Sequence, residues 1–123
     1  MIRTISVFIF LLMLSSQVVA KPPVFVVSIE RGSSLSETLK QDMLVIFGAE
    51  WCGACVKLKR EIYADNDILD NLIVYYVDYD KNKSLAKKYN IRSLPTSVII
   101  QNGKEIGRRV GYSDKKQYSD WLK

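Results

Sequence analysis

Near the middle of the chain stands a continuous apolar run, Met43-Leu44-Val45-Ile46-Phe47, with no polar residue interrupting it. A run without alternation suits a central strand buried on both faces. On either side of it, strand and helix patterns alternate. Val24-Phe25-Val26-Val27-Ser28-Ile29 predicts a short first strand. Ser34-Leu35-Ser36-Glu37 has the Ser-x-x-Glu spacing of a capping box and predicts a helix through about Lys40. From Cys52 the apolar positions Cys55, Leu58 and Ile62 recur at three and four residues, which predicts a helix to about Tyr63 with Cys55 toward the core and Cys52 at its end.

Further on, Asp65-Asn66-Asp67 reads as a turn, Ile73-Val74-Tyr75-Tyr76-Val77-Asp78 as a strand and residues 84–89 as a short helix. Pro95 opens the strand Thr96-Ser97-Val98-Ile99-Ile100, where its missing N–H is tolerated. Asn102-Gly103 signals a hairpin into Glu105-Ile106-Gly107-Arg108-Arg109-Val110. Ser113 is placed to cap a last helix ending near Trp121. Strands joined through helices imply parallel neighbours and the closing hairpin is antiparallel, so the expected architecture is α/β with a mixed central sheet and helices on both faces. Neither an internal repeat nor a low-complexity tract interrupts this order.

Residues 1–20 do not belong to that pattern. Arg3 gives a positive start, residues 5–14 form an apolar core broken by Ser6, and Val18-Val19-Ala20 resembles a small-residue cleavage site, so this segment reads as a secretory signal peptide. Its apolar stretch is shorter than the roughly 20 residues that span a bilayer. Cleavage would leave residues 21–123 as one domain, exported to a bacterial periplasm or the cell exterior, with Lys21-Pro22-Pro23 as a short lead-in. The net charge would fall from +5 to +4, because Arg3 is the only charged residue of the leader. The basic residues are scattered along the chain. They do not form the basic stripe with interleaved aromatics that a nucleic-acid partner requires, so nucleic acid is excluded as a ligand.

Cys52 and Cys55 are the only cysteines, and they lie in Ala49-Glu50-Trp51-Cys52-Gly53-Ala54-Cys55 between the apolar run and the predicted helix. At a helix start, unpaired N–H groups and the helix dipole stabilise a thiolate, so a redox-active dithiol with Cys52 as the reacting sulfur is the first reading. The spacing also occurs in metal sites and in plain disulfides. A ring closed over two residues stabilises a fold by only about 2 kcal/mol, less than the about 3 kcal/mol of a fifteen-residue loop, so chemistry explains this pair better than stapling does. Two thiolates without any histidine supply half of a tetrahedral zinc shell. Neither a metal nor an organic cofactor is therefore expected.

Residues 24–122 resemble the thioredoxin family. The carriers are the Ala49-to-Cys55 segment, Asp78 with Asp80, Tyr89-Asn90-Ile91-Arg92-Ser93-Leu94-Pro95-Thr96, and Asn102-Gly103-Lys104. The helix after the cysteines and the Tyr63-Ala64-Asp65-Asn66-Asp67 loop look closest to exported thioredoxin-like proteins, among them the C-terminal domain of the transmembrane thiol reductase of bacterial periplasms. The resemblance implies a thioredoxin fold and an enzyme of thiol-disulfide exchange, in which Cys52 attacks a substrate disulfide and Cys55 resolves the mixed disulfide. It implies that Trp51 forms an apolar rim beside Cys52. It also implies that Pro95 is a cis-proline whose neighbour Leu94 pairs with an extended substrate.

Two departures from the family pattern bear on the chemistry. Ile46 and Tyr76 stand where thioredoxins carry a buried aspartate and its accompanying lysine. Proton transfer at Cys55 thus lacks its usual assistant, and slower resolution at neutral pH is expected. Glu50, and Lys59 seven residues after Cys52 on roughly the same helical face, are the candidates for tuning a sulfur. In the family, a histidine between the cysteines makes the disulfide more oxidising, and this chain has none. The expected activity is therefore reduction or isomerisation of disulfides in extracytoplasmic proteins, by a monomer served by a membrane-bound electron donor. The alternatives are a dithiol oxidase and a redox-inactive binding module of the same fold.

Overall fold

A computed structural model describes residues 26–29, 42–65, 69 and 72–123. The element order is β1 (Val26–Ile29), β2 (Met43–Gly48), α1 (Gly53–Ala64), β3 (Ile73–Asp78), α2 (Lys83–Lys88), β4 (Thr96–Gln101), β5 (Lys104–Val110) and α3 (Lys115–Leu122). The predicted signal peptide, the predicted helix of residues 34–40 and the centre of the 65–67 turn lie outside the described residues. Elsewhere each predicted element is present, with ends that differ by a residue or two.

Among the described residues the strands form one sheet in the order β1-β3-β2-β4-β5. β1, β3 and β2 run parallel, β4 is antiparallel to β2, and β5 is antiparallel to β4, giving the expected mixed sheet. β2 holds the middle position because all six of its residues are buried, a pattern only a strand covered on both faces can satisfy. Met43, Val45 and Phe47 point to one face, where they pack with Val77, Ala86 of α2, Ile91 and Val98. Leu44 and Ile46 point to the other, with Leu58 and Ile62 of α1, Val74, Tyr76 and Tyr118 of α3. Period-2 alternation along β2 thus divides the core into two layers, one under α2 and one under α1 and α3.

Local chemistry sets the boundaries. Asn102 and Gly103 adopt φ of 50° and 76°, the left-handed pair that a tight hairpin between β4 and β5 demands. The last helix is capped by Asp114, whose carboxylate accepts from the Gln117 N–H at 2.9 Å, and not by Ser113 as the sequence suggested. Ser113 instead shares a hydrogen bond with the Gln117 side chain, at 3.0 Å. Both residues are good caps. Asp114 wins because its extended backbone, φ −149° and ψ 162°, immediately precedes the first helical residue.

The ends of β2, β3 and β4 converge at one edge of the molecule. Gly48 is in register with Asp78, and Phe47 with Thr96. The loop carrying the cysteines, the turn after Asp78 and the Leu94-Pro95 segment therefore emerge side by side.

Candidate active site

Cys52 is the N-cap of α1, with extended backbone (φ −93°, ψ 110°), and its Sγ accepts from the Cys55 N–H at 3.2 Å. The two cysteines form a disulfide with their Cα atoms 5.2 Å apart. They differ in environment. Cys52 is half-buried at the helix tip, whereas Cys55 is fully buried in the first turn among core residues. The first turn, Gly53-Ala54-Cys55-Val56, has no acidic residue to oppose a negative sulfur; the Cys55 N–H already donates to the Cys52 Sγ, and the helix dipole favours negative charge there. The partly accessible Cys52 is the one a substrate reaches, and the buried Cys55 is placed to attack its neighbour.

Trp51 is 70% exposed. Its indole Nε1 donates to the Asp80 carboxylate at 2.7 Å, and Asp80 also accepts from Lys83 at 3.3 Å. The Trp51 hydrogen bond, and then the Lys83 ammonium, hold the Asp80 carboxyl below the ordinary carboxylate range. Asp78 organises the turn beneath, its Oδ1 accepting from the N–H groups of Asp80 and Lys81 at 2.9 and 3.2 Å. Sequence reasoning singled out both aspartates as family markers without assigning either a partner. The partner of Asp80 is invisible in sequence because it lies 29 positions away across the sheet.

The Leu94–Pro95 peptide bond is cis. Pro95 is buried, Leu94 is half-buried, and the Pro95 carbonyl accepts from the Gly111 N–H at 2.7 Å. Thr96 ties the approach to the strand by donating to the Ser93 carbonyl at 2.7 Å. Cys52, Trp51, Leu94 and Pro95 thus occupy one end of the sheet.

The tuning candidates fare differently. Glu50 is exposed in the loop before α1. Lys59 is half-buried, with its ammonium 4.8 Å from the centroid of the Tyr76 ring. Ile46 is fully buried beside Tyr76, its register partner. A Cβ placed on Gly48 would overlap the Tyr76 hydroxyl, and would stand 2.7 Å from Cζ of that ring and 3.2 Å from Cβ of Cys55. Gly48 is therefore the residue that lets a phenol and the buried cysteine share one small space. The sequence puts Ile46 and Tyr76 at the family's aspartate and lysine positions but carries no signal for this use of Tyr76. Among the described residues there is no group of three or more His, Cys, Asp or Glu side chains able to hold a metal.

A mixed sheet that presents a Cys-x-x-Cys pair at a helix start, one sulfur reachable and one buried, defines a thiol-disulfide oxidoreductase whose electrons are carried by its own cysteines. The thioredoxin family model matches residues 26–123, and the chain belongs to that family. It is 33% identical over 90 residues to a thioredoxin of Rickettsia typhi, an alignment covering 71% of this chain and 86% of that one. It is 38% identical over 85 residues to a thioredoxin of Buchnera aphidicola, covering 68% and 77%. Among solved structures, Schistosoma mansoni thioredoxin superposes with a TM-score of 0.69 at 29% identity, covering 79% of this chain and 92% of that one. Thioredoxin-family enzymes act on protein disulfides, and that is the substrate class of this chain.

Proposed function

We propose that the chain is an exported thioredoxin-like reductase of extracytoplasmic protein disulfides, with isomerisation as a secondary activity. The reading is carried by the asymmetry of the two sulfurs: Cys52 caps α1 at the surface, and Cys55 is buried one turn in. In the first step the Cys52 thiolate attacks one sulfur of the substrate disulfide. A Cys52–substrate bond forms, and the other substrate sulfur leaves as a thiolate with the electron pair. In the second step Cys55, having lost its proton to solvent, attacks the Cys52 Sγ. The Cys52–Cys55 disulfide forms and the second substrate sulfur leaves reduced.

Trp51, braced by Asp80, is the apolar rim against which the substrate chain lies, and the backbone at Leu94, ahead of the cis Pro95, receives it as an extended segment. Export is supported by the leader-like pattern of residues 1–20. Consumption of electrons outside the cytoplasm calls for a membrane-bound donor, and a single thioredoxin domain with its own dithiol works as a monomer. Lack of any histidine supports the reducing direction over a dithiol oxidase.

An insulin-reduction assay with Cys52→Ser as control tests the activity, and the variant is expected to be inactive. Equal turnover by wild type and variant would leave a binding module of the same fold. Titration against glutathione then fixes direction, since about 30 mV separates tenfold differences in equilibrium. N-terminal sequencing of the protein recovered from the periplasmic or extracellular fraction is expected to begin near Lys21. A cytoplasmic, full-length product would refute export.

A further inference from the structure

The resolving step needs Cys55 ionised, yet Cys55 is fully buried, on the face of α1 that also buries Leu58 and Ile62. Burial in apolar surroundings opposes a thiolate. The Tyr76 hydroxyl reaches that space. Tyr76 projects from β3 on the same face as Ile46, and its oxygen and the Cys55 Cβ both crowd the point where a side chain on Gly48 would begin. Among the described residues no hydrogen bond engages this hydroxyl. The ring is held by Lys59, one turn beyond Cys55 on α1, whose ammonium lies 4.8 Å from its centroid.

We propose that the Tyr76 hydroxyl donates to Cys55 as its thiolate forms during resolution, and that Lys59 holds the ring in place for this. Glycine at position 48 makes the approach sterically open. Tyr76 is suited to the role because it stays protonated: burial first, then the negative charges of Asp78 and Glu50 and the neighbouring Tyr63, keep its phenol above the ordinary tyrosine value. A protonated phenol can give a hydrogen bond to a thiolate, and hydrogen bonding to the charged form favours that form. The electron bookkeeping of the resolving step is unchanged. The Cys55 proton still leaves to solvent, the Cys52–Cys55 bond forms, and the substrate thiolate departs with its electron pair.

The groups facing the phenol are Glu50 from the loop before α1, Lys59 and Tyr63 from α1, and Asp78 from its own strand. Tyr118 of α3 shares the same core layer, with its hydroxyl committed to Ser97 of β4. None of these is altered by Tyr76→Phe. That variant keeps the ring and the Lys59 contact while removing one oxygen.

The inference rests on the reductase reading above, and the test separates the two. Stopped-flow resolution of a preformed mixed disulfide between Cys52 and a model peptide is followed from acid to alkaline pH. In Tyr76→Phe the resolution rate at neutral pH is expected to fall about tenfold and its pH midpoint to rise by about one unit, the equivalent shift. Alkylation of Cys52 in the reduced protein should stay within about twofold of wild type, because the change touches Cys55 alone. An unchanged midpoint in the folded variant overturns the inference and leaves the reductase reading intact. A wild type that forms no mixed disulfide through Cys52 overturns both. Should Tyr76→Phe fail to fold, reduced wild-type protein labelled with carbon-13 at tyrosine Cζ and cysteine Cβ decides. The Tyr76 resonance is expected to move with the Cys55 titration, and a Tyr76 signal that ignores it refutes the contact.

Discussion

Trp51 and Asp80 are joined by a 2.7 Å hydrogen bond from the indole N–H to the carboxylate, across 29 residues of sequence. The bond fixes an exposed aromatic ring to the turn after β3, immediately beside the residue that caps α1. A side chain so exposed would otherwise sample several rotamers, and holding it lowers the entropy cost of docking a substrate against it.

Asp80 gives this anchor a pH dependence. Its folded-state pKa is depressed, so the anchor is complete above the ordinary carboxylate value and is lost as pH falls through the lower folded value. In a Trp121→Phe background, which leaves Trp51 as the only tryptophan, indole emission is expected to shift with a midpoint below about 3.9. Asp80→Ala should lack that transition and raise KM for protein disulfides more than it lowers kcat. Retention of the transition in Asp80→Ala would assign it to another carboxylate.

Ser97 and Tyr118 form a hydroxyl pair at 2.7 Å in the otherwise apolar layer between the sheet and α3, both essentially inaccessible. Removing either partner strands the other in the core at a cost of about 1–3 kcal/mol. Ser97→Ala and Tyr118→Phe are each expected to destabilise by that amount in urea unfolding. The double variant should cost less than the sum of the two, and strict additivity would show that the hydroxyls do not depend on one another.

Alkali should unfold the protein through its tyrosines. Burial, opposed only in part by the Ser97 hydrogen bond and Arg109, raises the Tyr118 phenol, and burial followed by its hydrogen bond to Glu61 raises Tyr112. The unfolded chain releases these protons near 10.0 while the folded chain retains them. The stability they contribute is therefore whole below that pH and declines as pH rises above it. Urea midpoints are expected to fall steadily above pH 10, with the fall reduced in Tyr118→Phe after allowing for its lower starting stability. A flat profile would mean that both phenols ionise as freely folded as unfolded.

Much of the fold is legible in the chain because each signal is local. The unbroken Met43-to-Phe47 run names the central strand, since burial on both faces removes every reason for a polar position. Asn102-Gly103 names the hairpin, because few pairs accept positive φ at both positions. The three-and-four spacing of Cys55, Leu58 and Ile62 sets the helix face that buries one sulfur and leaves Cys52 at its tip. Ser113 and Asp114 show the limit of such local signals. Two good caps stand side by side, and only the extended backbone of Asp114 in the folded chain chooses between them.

The sequence by itself determined the element order, the two-faced core, the dithiol and the segments on which the other site residues lie, because these depend on spacing along one strand or helix. Tertiary structure decided what those residues touch: Trp51 on Asp80, Lys59 over the Tyr76 ring, and the Tyr76 oxygen beside Gly48 and Cys55. Each of these contacts joins elements whose relative placement comes from strand register and helix packing. Such placement depends on the whole core at once, and no short stretch of residues encodes it.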